Sequence, residues 1–415
     1  MTIIRPFKAL RPAEKSAKSV ASVPYDVVDG EEACAAAEGN KLSFLRVTRS
    51  EIELDKNTNP YSPDVYEKAK ENLERLKKNA PLITDEEPHF YLYRLIMGKW
   101  AQTGIAATFS INDYDNNVIL KHENTRKEKE DDRTNHIITT EAQTGAVFLT
   151  YRGINKINEV VKETINKMDP IYDFTANDGI KHSVCVLPDE YNQAIIDEFE
   201  NIDRLYIADG HHRVASASRA RKIKADKNPT HSGDEEYNFF MAVIFPAEEV
   251  NILPYNRVVF DLNNLSEEEF FNLVNEKFEV QKTSLRESPK RREFGMYLNK
   301  QWYSLKARDS VIASLSLSDS IRSHLDVSIL QDFLLNPVLG IEDQKTSKRI
   351  DFIGGIRGTV ELENLVDSGK AAVAFSLYPV SIEDLMKISD AGEIMPPKST
   401  WFEPKLRDGL LVHLI

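Results

Sequence analysis

Four reactive side chains stand almost side by side in Asp209-Gly210-His211-His212-Arg213. The apolar run Leu205-Tyr206-Ile207-Ala208 precedes them, and a helix-forming stretch from Val214 follows. A strand that turns at a glycine into a helix aims free backbone N–H groups and the positive end of the helix dipole at one spot. Arg213 adds a planar fork suited to phosphate oxygens. Gly210 permits close backbone approach or a positive φ. His211 and His212 supply titratable nitrogens. Asp209 could cap the helix, bind a metal ion or act as a base. The competing reading is an ordinary capped helix start with exposed histidines. The density of polar groups at one strand-to-helix junction favours an anion-handling site.

Four further segments carry chemistry. In Ser22-Val23-Pro24-Tyr25-Asp26-Val27-Val28, Pro24 sets a turn that presents the polar tips of Tyr25 and Asp26. Asp26 is a candidate general base. Leu42 to Arg49 alternates with period two, which predicts a strand with Phe44, Arg46 and Thr48 on one face. Arg46 beside Thr48 could clamp a carboxylate or phosphate. From Lys121 to His136 the chain holds five basic and five acidic residues, so it is locally neutral. Such a run is ordinarily a solvated helix. Yet His122, Glu123 and Arg126 directly follow a predicted strand, where α/β sites sit. Near the C-terminus, Pro396, Pro397 and Pro404 stiffen a basic segment that carries Lys398, Ser399, Lys405 and Arg407. It suits an anionic ligand, or it is a strap with Trp401 and Phe402 in the core.

These residues need elements to position them. Ser62-Pro63 predicts a helix start, with Val65, Ala69, Leu73 and Leu76 on one face. Ser266 with Glu269, and Ser381 with Asp384, predict capping boxes. Ile157, Val160, Val161, Ile165 and Met168 form another apolar stripe. Strands are predicted from His89, Asn117, Ala146, Arg204, Phe239 and Ala371. The last three are continuous apolar runs, as in strands covered on both faces. The pattern is α/β in the broad sense, a mixed α+β chain with a mixed sheet. The expected division is residues 1–245, carrying the first four motifs, and residues 246–415.

The composition narrows the function. Acidic residues exceed basic ones, 66 to 53, so a broad nucleic-acid or membrane-surface role is not expected. Two cysteines cannot build a disulfide framework or a Cys-rich zinc site. The first residues lack a leader pattern and no run of about 20 apolar residues occurs, so a cytoplasmic protein is expected. The usual marks of P-loop NTPases, Rossmann dehydrogenases, α/β-hydrolases and zincins are missing.

The chain resembles family 1015 of the domains of unknown function over nearly its whole length. The match rests on RPFKALRP, VPYDVV, NKLSFLRVTR, HENTR with DDR, IADGHHR, LPYNRVV, LDVSILQDFLLNPVLGI and PPKSTWFEPKLRDGL. The DGHHR element is in turn similar to the phosphate-binding element of the ParB/sulfiredoxin superfamily, in the form seen in free-serine kinases. That resemblance implies a nucleotide-binding element in the fold. It also implies phosphoryl transfer between a nucleotide, ATP or ADP, and the serine hydroxyl, with Mg²⁺. Gly210, His211, His212 and Arg213 would cradle the nucleotide, and Asp26 or Glu123 would be the acidic base. Asp209 or Glu123 would hold the metal ion. Arg46, Lys398 and Ser399 would hold the substrate carboxylate, with Tyr25, Thr48, His122, Arg126, Lys405 and Arg407 as further substrate contacts. A homo-oligomer is compatible with this reading. The alternatives are a non-catalytic nucleotide- or metabolite-binding regulator, and a metal-dependent phosphatase built on His122, Asp209, His211 and His212.

Overall fold

Residues 2–80 and 82–415 are described by the structure, a computed structural model. The chain is mixed α+β and divides into two units, Met1–Val250 with Pro404–Ile415, and Asn251–Glu403. In the first unit the strand Phe239–Pro246 is buried at all eight positions, as its unbroken apolar run predicts. It lies inside a nine-stranded mixed sheet. The order is Ile119–Leu120, Leu205–Asp209, Val147–Tyr151, Phe239–Pro246, Trp100–Ser110, Tyr91–Met97, Lys181–Val186 and Tyr172–Thr175. Ile4–Arg5 pairs with Trp100–Ser110 beside this path. Two pairings are parallel: Leu205–Asp209 with Ile119–Leu120, and Phe239–Pro246 with Val147–Tyr151. The remainder are antiparallel.

The helices of this unit bury the apolar faces their spacing predicts. Ile157 of helix Asn155–Lys167 is buried in the same core as Phe199, Val214 and Ile244, and Val160, Val161 and Ile165 pack against it. Met168 is 42% exposed just past that helix, so the stripe ends at Ile165. Helix Pro63–Asn79 begins at Pro63 and buries Val65, Ala69, Leu73 and Leu76. The strand predicted from Asn117 shortens to Ile119–Leu120.

Two expectations are corrected. Leu42–Arg49 is not a strand: Leu45–Thr48 is a helical turn, followed by a 3₁₀ turn at Ser50–Glu53. Phe44, Leu45 and Val47 are all buried, which a turn of helix satisfies by packing two apolar directions at once. A run this short carries no decisive period. The expected division at residue 246 also fails at the end of the chain. Val412–Leu414 lies between Ala9–Pro12 and Ala142–Gln143 in a four-stranded sheet of the first unit. Val412 shares a core there with Leu10, Phe44, Leu73 and Leu76.

The second unit is built on a six-stranded sheet in which every pairing is antiparallel. Both predicted capping boxes form, at Ser266 with Glu269 and at Ser381 with Asp384. Among the described residues no helix is long and apolar enough to cross a membrane.

Candidate functional site

The strand Leu205–Asp209 ends at Gly210, and helix His211–Lys227 begins immediately after. Gly210 takes φ 96° and ψ 29°, a left-handed conformation that a side chain disfavours. A Cβ there would also meet the Cα of Val147 at 3.4 Å. The tight turn lets Arg213 N–H bond back to the Gly210 carbonyl at 2.9 Å. The His211 and His212 N–H groups are left without an acceptor inside the helix. Gly210 is itself the N-cap, with no side-chain cap, so Asp209 does not cap the helix.

Asp209 instead receives the Lys405 ammonium at 2.8 Å. Burial works against its charge, yet Lys405 and then Arg213 hold its carboxyl well below the usual carboxylate range. Arg213 is buried, and one of its terminal nitrogens donates to both carboxylate oxygens of Asp26 at 3.0 and 3.2 Å. Its other terminal nitrogen donates to the Ala146 carbonyl at 2.7 Å. Burial opposes this charge too, but Asp26 and Asp209 keep the guanidinium protonated. The fold thus joins two predicted residues that stand 187 positions apart, and it leaves Asp26 36% exposed at the side chain.

The two histidines differ in surroundings. His211 is buried, and its ring meets that of His122 edge to face, with centroids 4.5 Å apart. Burial drives both well below the ordinary imidazole range, His122 to about 4. His212 is half-buried, and its Nε2 accepts the Arg126 N–H at 3.0 Å. Burial lowers it as well. Neutral imidazoles therefore line the helix start, and positive charge comes from guanidinium, ammonium and backbone groups. His122, Glu123 and His211 each offer one ligand atom, and these atoms lie within 4.8 Å of one another. Of the two residues expected at a metal ion, Asp209 is paired with Lys405 and Glu123 belongs to this trio.

A family model described as "Protein of unknown function (DUF1015)" matches residues 4–328. The chain belongs to the DUF1015 family. Its fold is similar to that of three solved structures at low scores. A conserved hypothetical protein from Pyrococcus furiosus is 13% identical, with 75% of this chain and 95% of that chain covered and a TM-score of 0.37. A free serine kinase in complex with AMP is 12% identical, with 74% and 91% covered and a TM-score of 0.36. SbnI with a C-terminal truncation, from Staphylococcus aureus, is 11% identical, with 74% and 87% covered and a TM-score of 0.38. No curated protein matches the sequence.

Other predicted contacts of this DUF1015 chain are engaged elsewhere. Arg46 donates to the carbonyls of Ala37 and Asn40 and to Glu53, so it ties a helical turn together and is not poised as a clamp. Thr48 is buried, and its hydroxyl faces the Phe44 carbonyl. Arg407 is buried against His182 and Asp178. Tyr25 is buried, with the Arg133 guanidinium 4.2 Å and that of Arg213 5.9 Å from its ring centroid. Burial pushes its phenol far up, so it stays protonated. Lys398 and Ser399 belong to the second unit. There the Ser399 hydroxyl donates to the Pro396 carbonyl, and the Lys398 carbonyl accepts from buried Arg257. Arg126 is an exposed residue.

Two further residues of this site, Arg133 and Asp408, lie within the DDR and PPKSTWFEPKLRDGL motifs but carry no ligand signal of their own in the sequence. Arg133 pairs with Asp132 at 2.9 Å. Asp408 is buried, and burial pushes its carboxyl up to about 7. Tyr25, Arg133, His136, Thr144, Arg213 and Asp408 line a cavity of about 30 Å³. That volume suits one or two waters, not a nucleotide.

Proposed function

We propose that the first unit is a phosphotransferase that moves a phosphoryl group between a nucleotide and a hydroxylated metabolite. ATP or ADP is the nucleotide, and serine with phosphoserine is the substrate pair. The observation that carries this reading is the Asp26–Arg213 pair at the start of a glycine-led helix. It sets a partly exposed carboxylate beside an anion-binding helix end. The similarity of DGHHR to the free-serine-kinase element supports the same chemistry.

The geometry supports the following roles. The N–H groups of His211 and His212 and the Arg213 guanidinium hold phosphate oxygens. A phosphate drawn to Arg213 competes with Asp26 for it, and the released carboxylate then accepts a proton from the substrate hydroxyl. The hydroxyl oxygen bonds to phosphorus as the bond from phosphorus to the leaving nucleotide oxygen breaks. Mg²⁺ bound with the nucleotide phosphates would neutralise their charge. Positioning and charge neutralisation do most of this work. Arg126, exposed beside His212, meets the substrate carboxylate. The Lys405–Asp209 pair fixes the strand end that aims the helix.

The test compares wild type with Asp26→Asn. Phosphoryl transfer to serine should fall about 10²- to 10⁴-fold, the usual worth of a general base, while nucleotide affinity measured by calorimetry is retained or rises, because the competitor for Arg213 is weakened. Parallel loss of affinity and turnover would contradict the assignment of Asp26 as base. The cluster of His122, Glu123 and His211 favours a second reading, a metal-dependent phosphatase. Phosphate release from phosphoserine without nucleotide, abolished by chelator, would replace the first reading with the second.

A further inference from the structure

We propose that His122, Glu123 and His211 bind one divalent ion of the zinc and manganese class, in preference to magnesium. Two paired strands build the site. Leu205 pairs with Ile119 and Tyr206 with Leu120, in parallel. The residues that follow these strands therefore leave the sheet at the same end, His122 and Glu123 from one and His211 from the other. The crevice beyond the carboxyl ends of parallel strands is where α/β proteins place ligands.

The donor set points to the ion. The three ligand atoms lie within 4.8 Å of one another. Donors around a tetrahedral centre with bonds of about 2.0–2.2 Å stand roughly 3.4 Å apart, so side chains must close by up to about 1.4 Å. His211 Nε2 is engaged by the His122 N–H at a long 3.4 Å, a contact that an ion can displace at small cost. Both rings are buried, with 2% and 6% exposure, and packing holds them edge to face. Two imidazoles with one carboxylate suit zinc, manganese, iron or cobalt, whereas magnesium takes oxygen ligands and keeps its waters. Three protein ligands leave a coordination position open, as in catalytic centres. A cation near a helix N-terminus is opposed by the dipole, and the Glu123 carboxylate among the three ligands offsets it, since Asp209 is already paired with Lys405. A role for the ion in binding phosphate rests on the function proposed above; the binding of the ion does not.

The experiment is a Co²⁺ titration of the full chain after chelation and desalting, without nucleotide or serine, read by visible absorption. One equivalent should give cobalt bands that stoichiometric Zn²⁺ abolishes and excess Mg²⁺ leaves in place. His122→Ala, His211→Ala and Glu123→Gln should each weaken Co²⁺ binding by at least about tenfold. Circular dichroism confirms folding of each variant. If a buried histidine variant unfolds, partly exposed Glu123→Gln decides the matter. No bands, bands unaltered in all folded variants, or displacement by Mg²⁺ as readily as by Zn²⁺ would overturn the proposal. Phosphoryl transfer is measured separately, so either claim can fail while the other stands.

Discussion

The carboxyl of Asp408 is buried beside Arg213, Asp26 and Arg133, and burial raises it from the ordinary 3.8 to about 7. In the unfolded chain it ionises near the ordinary value, so between about pH 4 and 7 the folded protein binds the extra proton. Its contribution to stability is whole below pH 4 and is lost as pH rises through 7. Asp408→Asn should therefore flatten the fall in stability between pH 5 and 8, with a gain at pH 8 of the order of a few kcal/mol. Thermal unfolding of both proteins across that range checks it; parallel curves would contradict the raised carboxyl. Arg213 gives a second residue-scale test. Removing one partner of a buried pair costs about 3–5 kcal/mol, and Asp26 keeps some solvent, so Arg213→Ala should cost about 3 kcal/mol in denaturant unfolding. Arg46 and Arg407 show why the sequence overstated the number of ligand-binding cations. A charge is visible in a sequence, but its partner is not. Glu53 for Arg46, and Asp178 with His182 for Arg407, are supplied by the fold.

At the level of elements, the strand–Gly210–helix junction was legible because its signals are local. An apolar run, a glycine and a helix-forming stretch stand in order, and each acts within a few residues. The same is true of helix Pro63–Asn79 and of the two capping boxes. Leu42–Arg49 was misread because eight residues fit a period of two and a turn of helix alike. Its conformation is decided by burial of Phe44, Leu45 and Val47, which is tertiary information. Gly210→Ala tests the junction directly. The positive φ should cost about 1–3 kcal/mol. The variant should also lose nucleotide affinity, because the N–H groups of the helix start move with the turn. Unchanged affinity in the folded variant would remove the helix end from the site.

Across the whole molecule, the last twelve residues complete a unit that begins at the first. Val412–Leu414 pairs with strands near residues 9–12 and 142–143, and Lys405 and Asp408 enter the site. Nothing local in Pro404–Ile415 announces this, since a β-pairing partner 400 positions away leaves no mark in a short segment. A chain ending at Val250 should lack cooperative unfolding. The same chain joined to Pro404–Ile415 by a flexible linker in place of residues 251–403 should regain it. Cooperative unfolding of the shorter chain by calorimetry would show that the C-terminal strand is dispensable.

Phosphoryl transfer between nucleotide and serine at the Asp26–Arg213 site is the proposed reaction. ³¹P NMR of the full chain with Mg²⁺ tests it most directly, in parallel samples of ATP or ADP with L-serine, phosphoserine with ADP, and phosphoserine alone. A phosphoryl group should exchange between nucleotide and serine in the samples that hold both partners, and phosphoserine alone should stay unchanged. Unchanged spectra in every sample, or free phosphate from phosphoserine without nucleotide, would contradict it.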